Sequence, residues 1–214
     1  MHGMKRKTYR YQNEYENTVG LFWENSPASF VKLFANIVMV DYHELKVLDL
    51  GAGEGKNSVF FASKGAKVVA VDTSENALSK FTLQPNFIES EHRIYRIQED
   101  ILELSFPNES FDIIIAYGVL HCMNSYEEIV EMIKKIQLWL KKGGYFIGAT
   151  FNNEIGIPDI QDYLCEESLL EKGQFETFFH GWDIIAKEDG IISETHCTTL
   201  ISHKHSISRL IAKK

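Results

Sequence analysis

The sequence predicts one α/β domain built around a mostly parallel, doubly wound sheet. Three observations carry that expectation. Short apolar strands alternate with helical segments through the first half, a glycine-rich turn follows the first strand, and the second strand ends on an acid. Residues 27–214 are read as this domain and residues 1–26 as an N-terminal helical lid or extension.

KVLDLG at 46–51 is the first strand and KVVAVD at 67–72 the second. Between them a helix over about Lys56–Lys64 stops at Gly65, the residue type that best takes a left-handed terminal conformation. A second helix starts near Thr73 or Ser74, with Glu75 favouring its N-terminal dipole, and ends before Pro85. The third strand, near Arg93–Gln98, alternates imperfectly, as an edge position allows. FDIIIAYG at 111–118 is apolar almost throughout, as a strand covered on both faces should be, and belongs mid-sheet. Ser125 and Glu128 form a capping box for a helix whose Ile129, Met132, Ile133, Ile136 and Leu140 recur at helical spacing. Lys141, Lys142 and Gly143 end that helix, and GGYFIGATF at 143–151 is the fifth strand. A helix near 162–172 precedes two β-rich stretches, Trp182–Glu194 and Ser206–Ala212, which have no helix between them and so pair antiparallel. Ahead of the sheet, Ser26 and Pro27 open a helix with the stripe Phe30, Leu33, Phe34, Ile37, Val38. The aromatic stretch Tyr9–Trp23 has no such stripe and suits a lid.

With 214 residues, 44% of them hydrophobic, the chain fills one sizeable core. No apolar run approaches the roughly 20 residues of a membrane span, and the N-terminus lacks the apolar region of a secretion signal, so a cytoplasmic protein is expected. Cys122, Cys165 and Cys197 are odd in number and far apart, which suits reduced thiols. A net charge of -8 disfavours nucleic acid as a partner, and the short run Lys5, Arg6, Lys7, Arg10 reads as a solvated tail. A small-molecule substrate is expected, with neither nucleic acid nor membrane as partner.

The chemistry is carried by VLDLGAGEGKN at 47–57, a strand that breaks into a glycine turn and re-enters a helix. Glycines at 51, 53 and 55 let the backbone approach a ligand and permit positive φ. Asp72 follows about twenty residues later, the spacing at which a carboxylate reaches a ribose diol. The GxGxxG fingerprint fails, because its third glycine falls on Lys56. A GxxxxGK phosphate loop fails as well, because Leu50 stands at its first glycine and Asn57 follows the lysine. A ligand with ribose but no pyrophosphate fits better, and Asp49 and Glu54 beside the loop suit a cation.

VLDLGAGEGKNS followed by VDTS resembles motif I and the ribose acid of class I methyltransferases, whose cofactor is S-adenosylmethionine. The resemblance continues through Glu99-Asp100-Ile101, FDIIIAYGVLH and LKKGGYFI, over roughly residues 27–151. Within the family, LDLGAGEGKNSVFFASKGAKVVAVD and GWDII at 181–185 are most similar to the tellurite-resistance-type and related small-molecule enzymes. It implies a Rossmann-like sheet of seven strands, the last antiparallel and inserted between two others. It also implies cofactor contacts at Asp49, Gly51, Ala52, Gly53, Gly55, Asn57, Asp72, Thr73, Asp100, Ile101 and Tyr117, with Trp23 closing over the top. Tyr117 and His121, just past the fourth strand, would face the transferable methyl as catalytic residues, with His121 taking a proton from the acceptor. The implied reaction is direct in-line methyl transfer to a small molecule.

Plainer roles stand beside these. Asp72 can simply cap a helix, Asp100 can be a surface acid, and His121 can be a structural histidine. Trp23, Tyr11 and Tyr15 can pack on the core rather than attract a sulfonium through their faces. His196, His203 and His205, with Cys197, match no recognised zinc spacing and read as a solvated polar loop, so no metal is expected; alternatively they line the acceptor pocket. A non-catalytic cofactor sensor and a nicotinamide-dependent oxidoreductase are the competing functions. A nucleic-acid or protein methyltransferase is weaker, for want of an Asn-Pro-Pro-Tyr-like motif or a basic groove.

Overall fold

A computed structural model describes residues 11–156, 168–195 and 201–214. In chain order the elements are α1 (Gln12–Asn17), α2 (Ser29–Ile37), β1 (Lys46–Leu50), α3 (Lys56–Ser63), β2 (Lys67–Asp72), α4 (Glu75–Ser79), α5 (Phe87–Ser90), β3 (Ile94–Gln98), β4 (Phe111–Tyr117), α6 (Tyr126–Trp139), β5 (Leu140–Asn152), β6 (Asp183–Thr195) and β7 (Ser202–Lys213). The strands form one seven-stranded sheet in the order β3-β2-β1-β4-β5-β7-β6. Strands β1 to β5 run parallel, and β7 lies antiparallel between β5 and β6. That is the implied topology, with the last strand inserted and the imperfectly alternating β3 at the edge.

Period-two alternation sends the central strands' side chains into two cores, as expected of a sheet covered on both faces. Leu48, Leu50, Ile114, Ala116 and Phe146 pack with the apolar stripe of α6. Val47, Val68, Ala70, Ile113, Ile115 and Ile147 pack with α2 and α3 on the other face.

Local signals placed most boundaries. Ser74 caps α4, its hydroxyl accepting from Ala77 N at 3.2 Å. Ser125 Oγ accepts from Glu128 N at 3.3 Å, while the Glu128 carboxylate reaches one residue further back, to Asn124 N at 2.9 Å. Helix α2 starts two residues after Pro27, and the backbone N–H of its cap, Ala28, is satisfied by Asn57 Oδ1 at 2.9 Å.

Two expectations are corrected. Helix α6 ends at Trp139, so Leu140, Lys141 and Lys142 lie in β5 rather than ending the helix. The cause is tertiary: the carbonyls of Leu138 and Trp139 are taken by Glu109 N and Ser110 N at 2.9 and 2.8 Å, and the chain leaves extended from Leu140. The helix expected near 162–172 does not reach its C-terminal half, where Leu170 bridges to Asn152 and a turn begins at Lys172. Its residues 162–167 lie outside the described residues, as do the basic run before residue 11, Cys165, His196 and Cys197.

Candidate functional site

A cavity opens at the carboxyl ends of the parallel strands, where open α/β sheets place their ligands. Its walls are Gly51–Glu54 after β1, Lys56 and Asn57 at the start of α3, Asp72–Ser74 after β2, Asp100–Leu102 after β3, and the segment after β4 that includes Tyr117, His121 and Cys122. Phe151, Glu194 and Ile207 also line it, as do Tyr11, Gln12, Tyr15 and Trp23 of the N-terminal segment. Of the sequence-predicted residues, Gly51, Ala52, Gly53, Asn57, Asp72, Thr73, Asp100, Ile101, Tyr117, His121 and Trp23 line this space. Asp49 and Gly55 do not line it.

The glycines are required for two different reasons. A Cβ on Gly51 would stand 2.5 Å from the Val119 side chain, so the loop is glycine there to pack against the segment after β4. A Cβ on Gly53 would stand 2.9 Å from the Tyr15 hydroxyl, so here the missing side chain leaves room for the N-terminal segment. Gly55 caps α3 with φ of 84° and lies behind the loop against Phe81.

Asp72 is tied to this loop. Its Oδ2 accepts from Gly53 N at 2.8 Å and its Oδ1 from Ser74 N at 2.9 Å, so the carboxylate both braces the glycine turn and starts α4. The Thr73 N–H also bonds this carboxylate, which lines the cavity. Burial raises its pKa, against the lowering by the Ser74, Gly53 and Thr73 N–H bonds. Asp100 likewise combines two roles: Oδ1 caps the following turn through Leu102 N at 2.9 Å, and the residue lines the cavity beside Ile101.

Asp49 and Glu54, the two acids beside the loop, each have partners within the protein. Asp49 is buried behind the loop and accepts from Ser58 Oγ of α3 at 2.6 Å. Burial pushes its pKa up to about 7, with the Asp72 charge adding to the rise. Glu54 is buried and engaged by the N-terminal segment: its carboxylate accepts from Phe22 N at 2.8 Å and Trp23 N at 2.9 Å and pairs with Lys80 at 3.2 Å. Trp23 Nε1 in turn donates to Tyr15 Oη at 3.1 Å, and Lys56 Nζ stands 5.6 Å over the Trp23 ring. The aromatic strap is therefore fastened to the glycine loop by a carboxylate. A charged residue inside the glycine motif, followed by a lysine 26 positions later, was the sequence signal for it.

Tyr117 Oη accepts from Arg209 Nε at 3.2 Å and shares a hydrogen bond with Ser29 Oγ at 3.0 Å. His121 is buried, stacked on Phe151 at 3.9 Å, and its Nδ1 accepts from Phe151 N at 3.3 Å. A neutral imidazole whose Nδ1 accepts carries its proton on Nε2, so the ring presents a donor. His203 and His205 correct the solvated-loop expectation. Both are buried on β7, because the strand starts at Ser202, ahead of the residue expected from apolar pattern alone.

Comparison with known proteins agrees with this geometry. The methyltransferase-domain family model matches residues 47–144. A chloroplastic methyltransferase of Arabidopsis thaliana is 33% identical over 110 residues, 49% of this chain and 30% of that protein. The S-adenosyl-L-methionine-dependent methyltransferase TehB of Haemophilus influenzae is 24% identical over 157 residues, 72% of this chain and 51% of that protein. The chain thus spans about half or less of these curated relatives. The TehB crystal structure superposes with a TM-score of 0.71 at 20% identity, covering 97% of this chain and 67% of that one. The [4+2]-cyclase SpnF shares the fold with a TM-score of 0.66 at 18% identity, covering 98% and 95%.

Proposed function

We propose that this chain is an S-adenosylmethionine-dependent methyltransferase that transfers a methyl group directly to a small-molecule acceptor, a reading supported by the methyltransferase-domain model that matches residues 47–144. The observation that carries this reading is the Gly53 N to Asp72 Oδ2 bond. It holds a ribose-gripping carboxylate and a side-chain-free loop on the wall of one cavity. Asp100 and Ile101 stand where an adenine edge would lie, and Ala52 and Thr73 complete the adenosyl cradle. When bound, the cofactor supplies an electrophilic methyl on a sulfonium; the chain's part is to position, orient and exclude water.

The strap of residues 11–26 acts as the lid, with Tyr11, Tyr15 and Trp23 lying over the cavity. At the acceptor end, Tyr117 and His121 orient the nucleophile. His121 does so by donating from Nε2, because Nδ1 is engaged by Phe151 N. Asp49 acts from behind the loop, holding α3 through Ser58. The net charge of -8 favours a small acceptor over nucleic acid.

The test is equilibrium dialysis and calorimetry with S-adenosylmethionine and S-adenosylhomocysteine against NAD. Both adenosyl ligands should bind and NAD should not; stabilisation by NAD alone would overturn the proposal. A screen of hydroxyl, amine and thiol acceptors, read as S-adenosylhomocysteine formed, then separates an enzyme from a cofactor sensor. The shared fold of a [4+2]-cyclase makes that second step necessary, since fold does not dictate reaction.

A further inference from the structure

The last two strands bring three metal-ligating side chains together beside the cavity. Glu194 near the end of β6 is paired directly with His203 at the start of β7, and His205 pairs with Ile192 two residues on. Alternation puts both histidines on one face of β7, and cross-strand pairing puts Glu194 with them. One ligand atom from each of the three lies within 4.8 Å of the other two.

The rings are held in place. His203 Nδ1 donates to the Ile201 carbonyl at 3.1 Å, which leaves the Nε2 lone pair as its ligand atom. That outer hydrogen bond is the one metal-bound histidines make. The His205 ring is stacked on Phe151 at 4.1 Å with 5° between planes, and His203 meets it edge-on at 4.9 Å. His205 Nε2 stands 3.8 Å from a Glu194 carboxylate oxygen, too long for a hydrogen bond. Two ligands of a tetrahedral ion with bonds of about 2.0 Å are separated by roughly 3.3 Å, so a small inward shift would complete the site.

We propose that Glu194, His203 and His205 bind a divalent transition-metal ion, with Zn²⁺ the best match to two imidazoles and one carboxylate. Three protein ligands leave a coordination position open, the arrangement of zinc sites that take an exogenous ligand. Glu194 also lines the cavity, together with Phe151 and Ile207, so the proposed site adjoins that space. A metal there would take an oxygen, nitrogen or sulfur atom of a molecule entering the cavity. The ligands come from two strands rather than one compact motif, which is why no recognised spacing announces them.

The experiment uses full-length, untagged protein stripped with chelator, titrated with Zn²⁺ by calorimetry and with Co²⁺ by visible absorption, in the absence of any adenosyl ligand. Expected are one ion per chain, the intense visible bands of low-coordinate Co²⁺, and a rise in melting temperature. Glu194→Gln and His203→Asn should each weaken binding by about 100-fold or more, beyond the 10–100-fold typical of losing an outer-shell partner. Glu194→Gln keeps the residue's volume and both rings, so it reads the site even where a histidine variant fails to fold. No uptake of either metal, or equally tight binding by Glu194→Gln, would overturn the proposal. Neither result bears on adenosyl binding, so it can fail independently of the methyl-transfer reading.

Discussion

Glu54 is the residue on which the strap depends, and Glu54→Gln isolates that dependence. The carboxylate accepts two backbone N–H bonds, from Phe22 at 2.8 Å and Trp23 at 2.9 Å, and faces Lys80 at 3.2 Å with the Glu54 side chain 1% exposed. Glutamine retains one acceptor oxygen and turns the other position into a donor, so one buried N–H loses its partner and meets another donor. The Lys80 ammonium also loses its counter-charge, keeping the Thr18 carbonyl at 3.1 Å. Bonds to a charged group contribute about 1.5–3 kcal/mol each, and a buried donor left unpaired adds to the loss. The strap should therefore open about 3 kcal/mol more easily, roughly 100-fold more often. Native-state hydrogen exchange reads this directly: the amides of Phe22 and Trp23 should exchange about 100-fold faster, while those of β1 and β4 stay protected. Cofactor affinity should fall with the loss of the lid. Unchanged exchange at 22 and 23 would show that aromatic packing, and not the carboxylate, holds the segment down.

Asp49→Asn should flatten a pH dependence. Burial raises this carboxyl from 3.8 to about 7, so its contribution to stability is fully present below about pH 4 and is lost as pH rises through 7. The shift of about 3 units sets an upper bound of about 4 kcal/mol. Urea unfolding at pH 8 should find the variant more stable than the parent and at pH 4 close to it; a gain independent of pH would refute the burial argument. Gly51→Ala should cost about 1–3 kcal/mol in thermal unfolding, because its Cβ meets stiff, β-branched Val119 at 2.5 Å. Gly53→Val should abolish S-adenosylmethionine binding while leaving a folded chain; a collapsed fold would assign that glycine to packing instead. Asp72→Ala should weaken S-adenosylhomocysteine binding at least tenfold by calorimetry, and unchanged affinity would remove the carboxylate from the site.

The parallel half of the sheet was legible because its signals are local. Apolar runs at 46–50, 67–72 and 111–117 stand between capped helices, and a glycine turn with an acid nineteen residues beyond it marks the ligand end. The same locality explains the misplacements. Leu140 continues the stripe of α6, yet it joins β5 because two N–H groups from the distant 109–110 turn consume the last helical carbonyls. Nothing within 125–143 carries that information.

Side-chain partnership was the less legible part of the site. Asp49 and Glu54 are alike as acids flanking a glycine loop, but alternation turns one toward Ser58 of α3 while the other meets backbone donors that arrive from residues 22 and 23. The histidines at 203 and 205 read as polar loop because two imidazoles, two residues apart, carry no sign of what lies across the ladder. Residue order and periodicity therefore establish the sheet, the glycine turn and the acid beside it, since these depend on neighbours in the chain. Which carboxylate holds the strap, which imidazole nitrogen keeps a proton, and which three side chains converge beside Phe151 depend on contacts between segments far apart in sequence, and those exist once the chain has packed.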